Sequence, residues 1–284
     1  MTHPFLAASL TLFAPSFKEE VTGVAFLDWL TNSILVAAIV AIVVILFARK
    51  ATAQLAPVPS PTQNLFELLI EGLYEMLEGI VGRRMVKKSF SLLATLFIFI
   101  LISNWFALIP GIGSIGWGEK TEKTFEVTVP LLRPSTADLN MTLAMATFFM
   151  VMWLIWTLQE VGIKGFLEHM FGVKGGLKGF LAVVLIPIFF FVGLIEVISI
   201  LFRPVSLSLR LFGNVFAGEN LLTTMITLGS SFGLPEWISF LASIILPIPF
   251  YFLELLIGVL QASVFMLLCA VYLQLSTTHD DEEH

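Results

Sequence analysis

Apolar residues in this chain are gathered into long runs without charge, separated by short stretches rich in Lys, Arg and Glu. Three runs are uninterrupted: Trp29 to Ala48, Ser89 to Gly118, and Leu139 to Gln159. Each reaches the length of about 20 residues that a helix needs to cross the hydrocarbon core of a bilayer. Two further runs, from about Val183 to Leu228 and from about Pro235 to Ser276, are equally apolar but enclose charges. The first holds Glu196, Arg203, Arg210 and Glu219, and the second holds Glu236 and Glu254. The pattern predicts an all-α integral membrane protein with about five membrane helices. The last two are expected to be long and strongly tilted, because a helix over 183–228 would extend ~69 Å against a core of ~30 Å. Pro187, Pro204, Gly213 and Gly218 offer places to bend the fourth segment, as Pro247 and Pro249 do in the fifth.

Residues 61–82 carry a different period. Leu65, Leu69, Leu73, Met76, Leu77 and Ile80 follow helical spacing, while Glu67, Glu71, Glu75 and Glu78 form a second stripe. The proline-rich stretch before them acts as a breaker. An amphipathic helix is predicted here, lying on the cytoplasmic surface or docked on a partner subunit. The first sixteen residues resemble the apolar part of a signal peptide but lack its basic leading region. The expected organisation is an exported segment over 1–28, a single membrane domain over 29–276, and an acidic cytoplasmic tail over 277–284.

Composition narrows the function classes. The 284 residues are 57% hydrophobic and only 13% charged, against about 25% charged in soluble domains. A net charge of −6 gives no general basic footprint for nucleic acid. One cysteine excludes an internal disulfide, and no two of the four histidines are spaced as metal ligands, so no metal or cofactor is expected. Lysine and arginine set the orientation. Nine of them (Arg49, Lys50, Arg83, Arg84, Lys87, Lys88, Lys164, Lys174 and Lys178) fall on one side. Only Lys18, Lys120, Lys123 and Arg133 fall on the other. The excess marks the cytoplasmic face, which puts the N-terminus outside and, after five crossings, the C-terminus inside.

Ionisable groups within the hydrocarbon cost several kcal/mol each by most estimates, so each needs a reason. Glu196, Ser199, Arg203, Ser206, Arg210 and Asn214 are separated by steps of three or four residues and form one polar stripe on an apolar helix. Glu219 comes nine residues after Arg210, which puts it on the opposite face and ~13.5 Å further along. Glu254 and Gln261, seven apart, share a face of the fifth segment. Arg203 flanks a proline near a membrane boundary and reads as an interfacial, snorkelling residue. Arg210 lies seven and nine residues from its nearest charged neighbours along the helix, and a guanidinium effectively never deprotonates. It is the strongest functional candidate.

The run RPVSLSLRLFGNVFAGENLL, Arg203 to Leu222, resembles the signature of the subunit a family of F-type ATP synthases. SNWFALIPG at 103–111, RPSTADLNMTLAMA at 133–146 and LLIGVLQASVFMLLCAVYL at 255–273 resemble further parts of that family in the same order. The likeness covers most of residues 60–276. It implies an ion-translocating stator without a catalytic site of its own, facing a rotating ring of c subunits. It also implies b-type peripheral stalk subunits as partners, an indirect link to the soluble catalytic head, and the bacterial cytoplasmic membrane as location. Arg210 matches the arginine that separates two aqueous half-channels, and Asn214 the polar position one turn beyond it. Glu196 and Ser199 match the cytoplasmic half-channel. Glu219, Glu254, Gln261 and Asn104 match the outer one.

Two departures stand out. The family commonly places a histidine and a glutamate at the positions of Glu219 and Glu254, whereas this chain has carboxylates at both, and Ala107 replaces an acidic residue of some members. Two neighbouring carboxylates do not both ionise readily: one titrates high or a cation bridges them, and a shared proton is the expectation here. The residues alone also allow a secondary transporter with its own intramembrane substrate site, although inverted repeats are not evident. An intramembrane hydrolase would need a paired aspartate, a metal motif or a nucleophile with a base, which the membrane segments lack. A purely structural anchor is the third alternative.

Overall fold

A computed structural model describes residues 14–16, 30–53, 60–109, 111–112, 115–120, 125–172, 180–233 and 235–277. Six helices and one hairpin follow in order: α1 (Asn32–Thr52), α2 (Pro61–Ala107), β1 (Gly116–Lys120), β2 (Phe125–Pro130), a 3₁₀ turn (Ser135–Ala137), α3 (Leu139–Phe171), α4 (Phe180–Ser231), α5 (Glu236–Ile245) and α6 (Pro247–Thr277). Among the described residues, five spans are long and apolar enough to cross a membrane, with α5 and α6 together forming the fifth. The all-α membrane architecture expected from the hydrophobic pattern is thus present. The exported segment and the acidic tail lie outside the described residues, apart from Ala14–Ser16 and Thr277.

Helix starts follow local chemistry. Thr31 caps α1 by accepting from the Ile34 amide at 3.3 Å. Ser60 does the same for the Gln63 amide, with Pro61 at the first helical position. Asp138 Oδ1 accepts from the Asn140 amide at 3.0 Å to open α3. Two helices carry kinks, at Gly82 (φ 76°, ψ 163°) in α2 and Gly162 (φ 74°, ψ 165°) in α3. Such angles are open only to glycine, which lets one helix axis give way to another without a break in the element. The kink at Gly82 falls where the amphipathic period ends and the second crossing begins. Leu73, Leu77 and Val81 on the near side of it are buried in the common core, and Leu65, Leu68 and Met76 are exposed.

That core is assembled from α2, α3, α4 and α6. Leu93, Phe97 and Ile100 meet Phe149 and Trp153, Leu207 and Leu211, and Phe265, Met266 and Leu273. Outside it, α1 and α4 expose Ile42, Ile45, Leu46, Phe191, Ile195, Leu201 and Phe202, the flank that suits lipid tails or another membrane protein.

α4 stays helical through Pro187 and Pro204, so the long fourth segment is a single element and not a broken one. Its apolar span of 43 residues is ~64 Å long and fits a ~30 Å core only at a steep inclination. The fifth segment does divide, at Leu246 just before Pro247. The hairpin between the second and third crossings has no counterpart in the hydrophobic pattern. The charge-free run 89–118 leaves the helix at Ala107 and turns into β1, which pairs antiparallel with β2.

Candidate functional site

α4 presents its polar stripe along an exposed edge. Ser199, Ser206, Arg210 and Asn214 are exposed and Glu196 is half-buried. Arg210 makes no ion pair with any carboxylate among the described residues. Arg203 behaves differently. Its guanidinium lies 4.7 Å from the centroid of the Tyr272 ring and 5.6 Å from that of Trp153. Its Nη2 is 3.7 Å from Glu196 Oε1. The two intramembrane arginines of one helix therefore have opposite settings: one enclosed by rings and a carboxylate, the other open.

Further along, α2, α4 and α6 line a small cavity of about 20 Å³, room for about one water molecule. Asn104 and Ala107 line it from α2, with Leu108 just beyond the helix end; Asn214, Val215, Gly218, Glu219 and Leu222 from α4; and Glu254, Ile257, Gly258 and Gln261 from α6. Asn214 Nδ2 donates to Gln261 Oε1 at 2.5 Å, joining α4 to α6. Asn104 Nδ2 donates to the Gly258 carbonyl at 3.4 Å, and the neighbouring Trp105 Nε1 donates to the Leu255 carbonyl at 3.2 Å. Asn104 and Gln261 are 6% and 4% exposed. Asn104 Oδ1, Glu219 Oε2 and Gln261 Nε2 are buried with no hydrogen-bond partner among the described residues. Buried polar atoms are ordinarily satisfied, so three orphans around one cavity mark it as a polar chamber rather than a packing defect.

Five of the eight residues singled out from the sequence (Asn104, Asn214, Glu219, Glu254 and Gln261) thus line one cavity. Glu196, Ser199 and Arg210 do not line it. Arg210 lies one helical turn before Asn214, and Glu196 lies ~21 Å before Arg210 along the axis.

Three features were not foreseen. Gly218 is buried under Glu254, and a Cβ built there would overlap Cδ and both oxygens of that carboxylate. Arg133, counted above as an outer-loop cation, is 6% exposed and donates from Nη2 to the Ala137 carbonyl at 3.1 Å. Burial pulls its pKa below the usual guanidinium value, and the carboxylates of Glu219 and Asp138 oppose that pull. Asp138 in turn accepts from Ser33 Oγ at 2.6 Å, tying α1 to the start of α3. The only signal for these contacts is the order RPSTAD, in which arginine and aspartate lie five residues apart.

An all-α, multi-pass membrane protein with one unpaired arginine in its span and a polar chamber between three helices is defined by these features. The chain belongs to the ATP synthase A chain family, whose model matches residues 30–274. It is 32% identical over 283 residues to the ATP synthase subunit a of Citrifermentans bemidjiense, covering 98% of this chain and 99% of that protein. It is 34% identical over 276 residues to the ATP synthase subunit a of Geotalea daltonii, covering 96% and 97%. The corresponding figures for Protochlamydia amoebophila are 34% over 254 residues, 89% and 81%. Membership makes this chain a membrane subunit of an F-type ATP synthase.

Proposed function

We propose that the chain is the ion-translocating stator of the synthase, in which Arg210 separates two aqueous half-channels that load and unload carboxylates on a rotating c ring. Asn104, Asn214, Glu219, Glu254 and Gln261 form the outer half-channel in this reading. Glu196 and Ser199 form the cytoplasmic one. The N-terminus lies outside and the C-terminus inside the cytoplasmic membrane of a bacterium, and b-type stalk subunits hold the stator to the soluble head. Chemistry on ATP belongs to that head, and this subunit needs no catalytic site or cofactor.

The observation that carries the reading is the open state of Arg210. A guanidinium on the exposed flank of a membrane helix, without an ion pair among the described residues, is available to a charge on another subunit. A ring carboxylate that enters its field is favoured in the ionised form and releases its proton to one half-channel. It re-enters lipid only when neutral, so it must first collect a proton from the other half-channel. The same fixed charge repels a hydrated proton that attempts the direct route. A membrane potential contributes about 2.3 kcal/mol per charge per 100 mV and biases the sense of rotation. The polar chamber supports the outer half-channel, because its orphaned oxygens and amide nitrogen gain hydrogen bonds from water.

Arg210→Ala tests the proposal. Coupled ATP synthesis should be lost while membranes stripped of the catalytic head still conduct protons passively. Retained coupled synthesis overturns the role, and substrate transport by the purified chain alone would replace it with the transporter reading.

A further inference from the structure

Arg203 and Glu196 stand two helical turns apart on α4, with Ser199 between them on the same stripe. Helical side chains lean toward the N-terminus, so the arginine reaches back toward the carboxylate. The separation of 3.7 Å makes this a charge contact rather than a hydrogen bond. The guanidinium has little freedom. Its Cζ lies over the rings of Tyr272 of α6 and Trp153 of α3, and its side chain is 14% exposed against 37% for Glu196. The walls of this clamp are themselves tied together. Trp153 Nε1 donates to the Tyr272 carbonyl at 2.9 Å, and Thr157 and Ser276 share a hydrogen bond of 3.1 Å one turn further along.

We infer that Arg203 is a positioning residue for proton transfer at the cytoplasmic end: clamped between Trp153 and Tyr272, it holds the Glu196 carboxylate at a fixed place on the exposed flank of α4. The inference rests on the stator reading and adds a residue to it. A carboxylate that accepts a proton from a passing partner must be within hydrogen-bond reach at the moment of passage. Glu196 is on a flank open to solvent or lipid, and on its own its long side chain samples many rotamers. The ring-bound cation removes that freedom. It also leaves Arg210, seven residues on, as the arginine of this helix not committed to a carboxylate of the same chain. Arginine suits the role better than a generic cation because its flat, weakly hydrated head stacks on two rings while still facing an acid.

The test uses membranes containing the whole synthase, stripped of the head for passive proton flux and intact for ATP synthesis, with rates normalised to assembled complex. Arg203→Gln should cut passive flux about five-fold, the scale of one half-exposed charge contact. Arg203→Lys should restore part of it, since an ammonium keeps the charge and a cation–ring contact but not the flat, weakly hydrated head. Tyr272→Leu should give an intermediate loss. In a Glu196→Gln background neither Arg203→Gln nor Tyr272→Leu should lower flux further, because the group being positioned is gone. A role in packing alone predicts the reverse, namely losses that add to Glu196→Gln and no rescue by lysine, and either result overturns the inference. If Arg203→Gln fails to assemble, Tyr272→Leu with and without Glu196→Gln decides it. Failure of the stator reading is separate: it shows as coupled synthesis surviving Arg210→Ala, whatever the Arg203 variants do.

Discussion

The carboxylate of Glu254 in α6 rests against the backbone of Gly218 in α4, in the space a side chain at 218 would fill. This contact brings a second acid beside Glu219 and closes one wall of the polar chamber. The small residue in the AGE triplet thus has a steric reason that neither helix reveals alone.

Gly218→Ala should therefore displace Glu254 while leaving α4 helical, since alanine is the better helix former by about 1 kcal/mol. ATP-driven proton pumping should fall by roughly ten-fold or more, as expected when a reacting group is moved by about 1 Å. Amounts of assembled complex, measured by immunoblot of membranes, should stay near normal. Shortening the acid in the double variant Gly218→Ala/Glu254→Asp should recover part of the activity. Unchanged pumping in Gly218→Ala would refute the steric argument.

Glu219 and Glu254 line the same chamber, and Glu219 Oε2 has no hydrogen-bond partner among the described residues. Two acids that interact strongly titrate as a unit, and the pair is expected to hold one proton between them. Infrared difference spectra of the purified complex should show a carboxyl band that changes in both Glu219→Gln and Glu254→Gln. Two bands, each lost in only one variant, would mean that the acids act independently.

The kinks at Gly82 and Gly162 are bridged by Glu160, whose side chain is 7% exposed and is paired with Arg84 at 2.8 Å and with Lys88. Removing the acid leaves two cations facing each other, yet both are partly exposed and can rehydrate. Glu160→Gln should thus destabilise the detergent-solubilised subunit by about 1–2 kcal/mol, below the range for a fully buried pair. Thermal unfolding followed by circular dichroism should show a lower midpoint, with wild-type helix content before the transition. An unchanged midpoint would mean that the clip is ornamental.

Much of the architecture was legible because the bilayer leaves few choices. A backbone in hydrocarbon must satisfy its own hydrogen bonds, so charge-free runs of sufficient length identify helices directly. Spacing likewise placed Ser199, Ser206, Arg210 and Asn214 along one edge of α4, because 3.6-residue periodicity survives in any straight helix. The paired strands Gly116–Lys120 and Phe125–Pro130 left no such mark in the pattern. They lie beyond the helix, where no lipid constraint operates and strand signals are short. Pro187 and Pro204 left open whether the fourth segment runs on, and it does, since in a long membrane helix the surroundings accommodate prolines that would break a soluble one.

Within one helix, then, the sequence alone determined which residues share a face and that Arg210 has no charged neighbour at helical spacing closer than Arg203. These are properties of a single 3.6-residue repeat and require no knowledge of what packs against it. Only the tertiary structure decided that Arg203 is enclosed by Trp153 and Tyr272 while Arg210 stays open, and that Asn104, Gln261 and two carboxylates converge on one chamber. Those outcomes depend on how α2, α3, α4 and α6 rotate and slide against each other. Rotation and sliding are set by the summed fit of many apolar side chains, which no local pattern records.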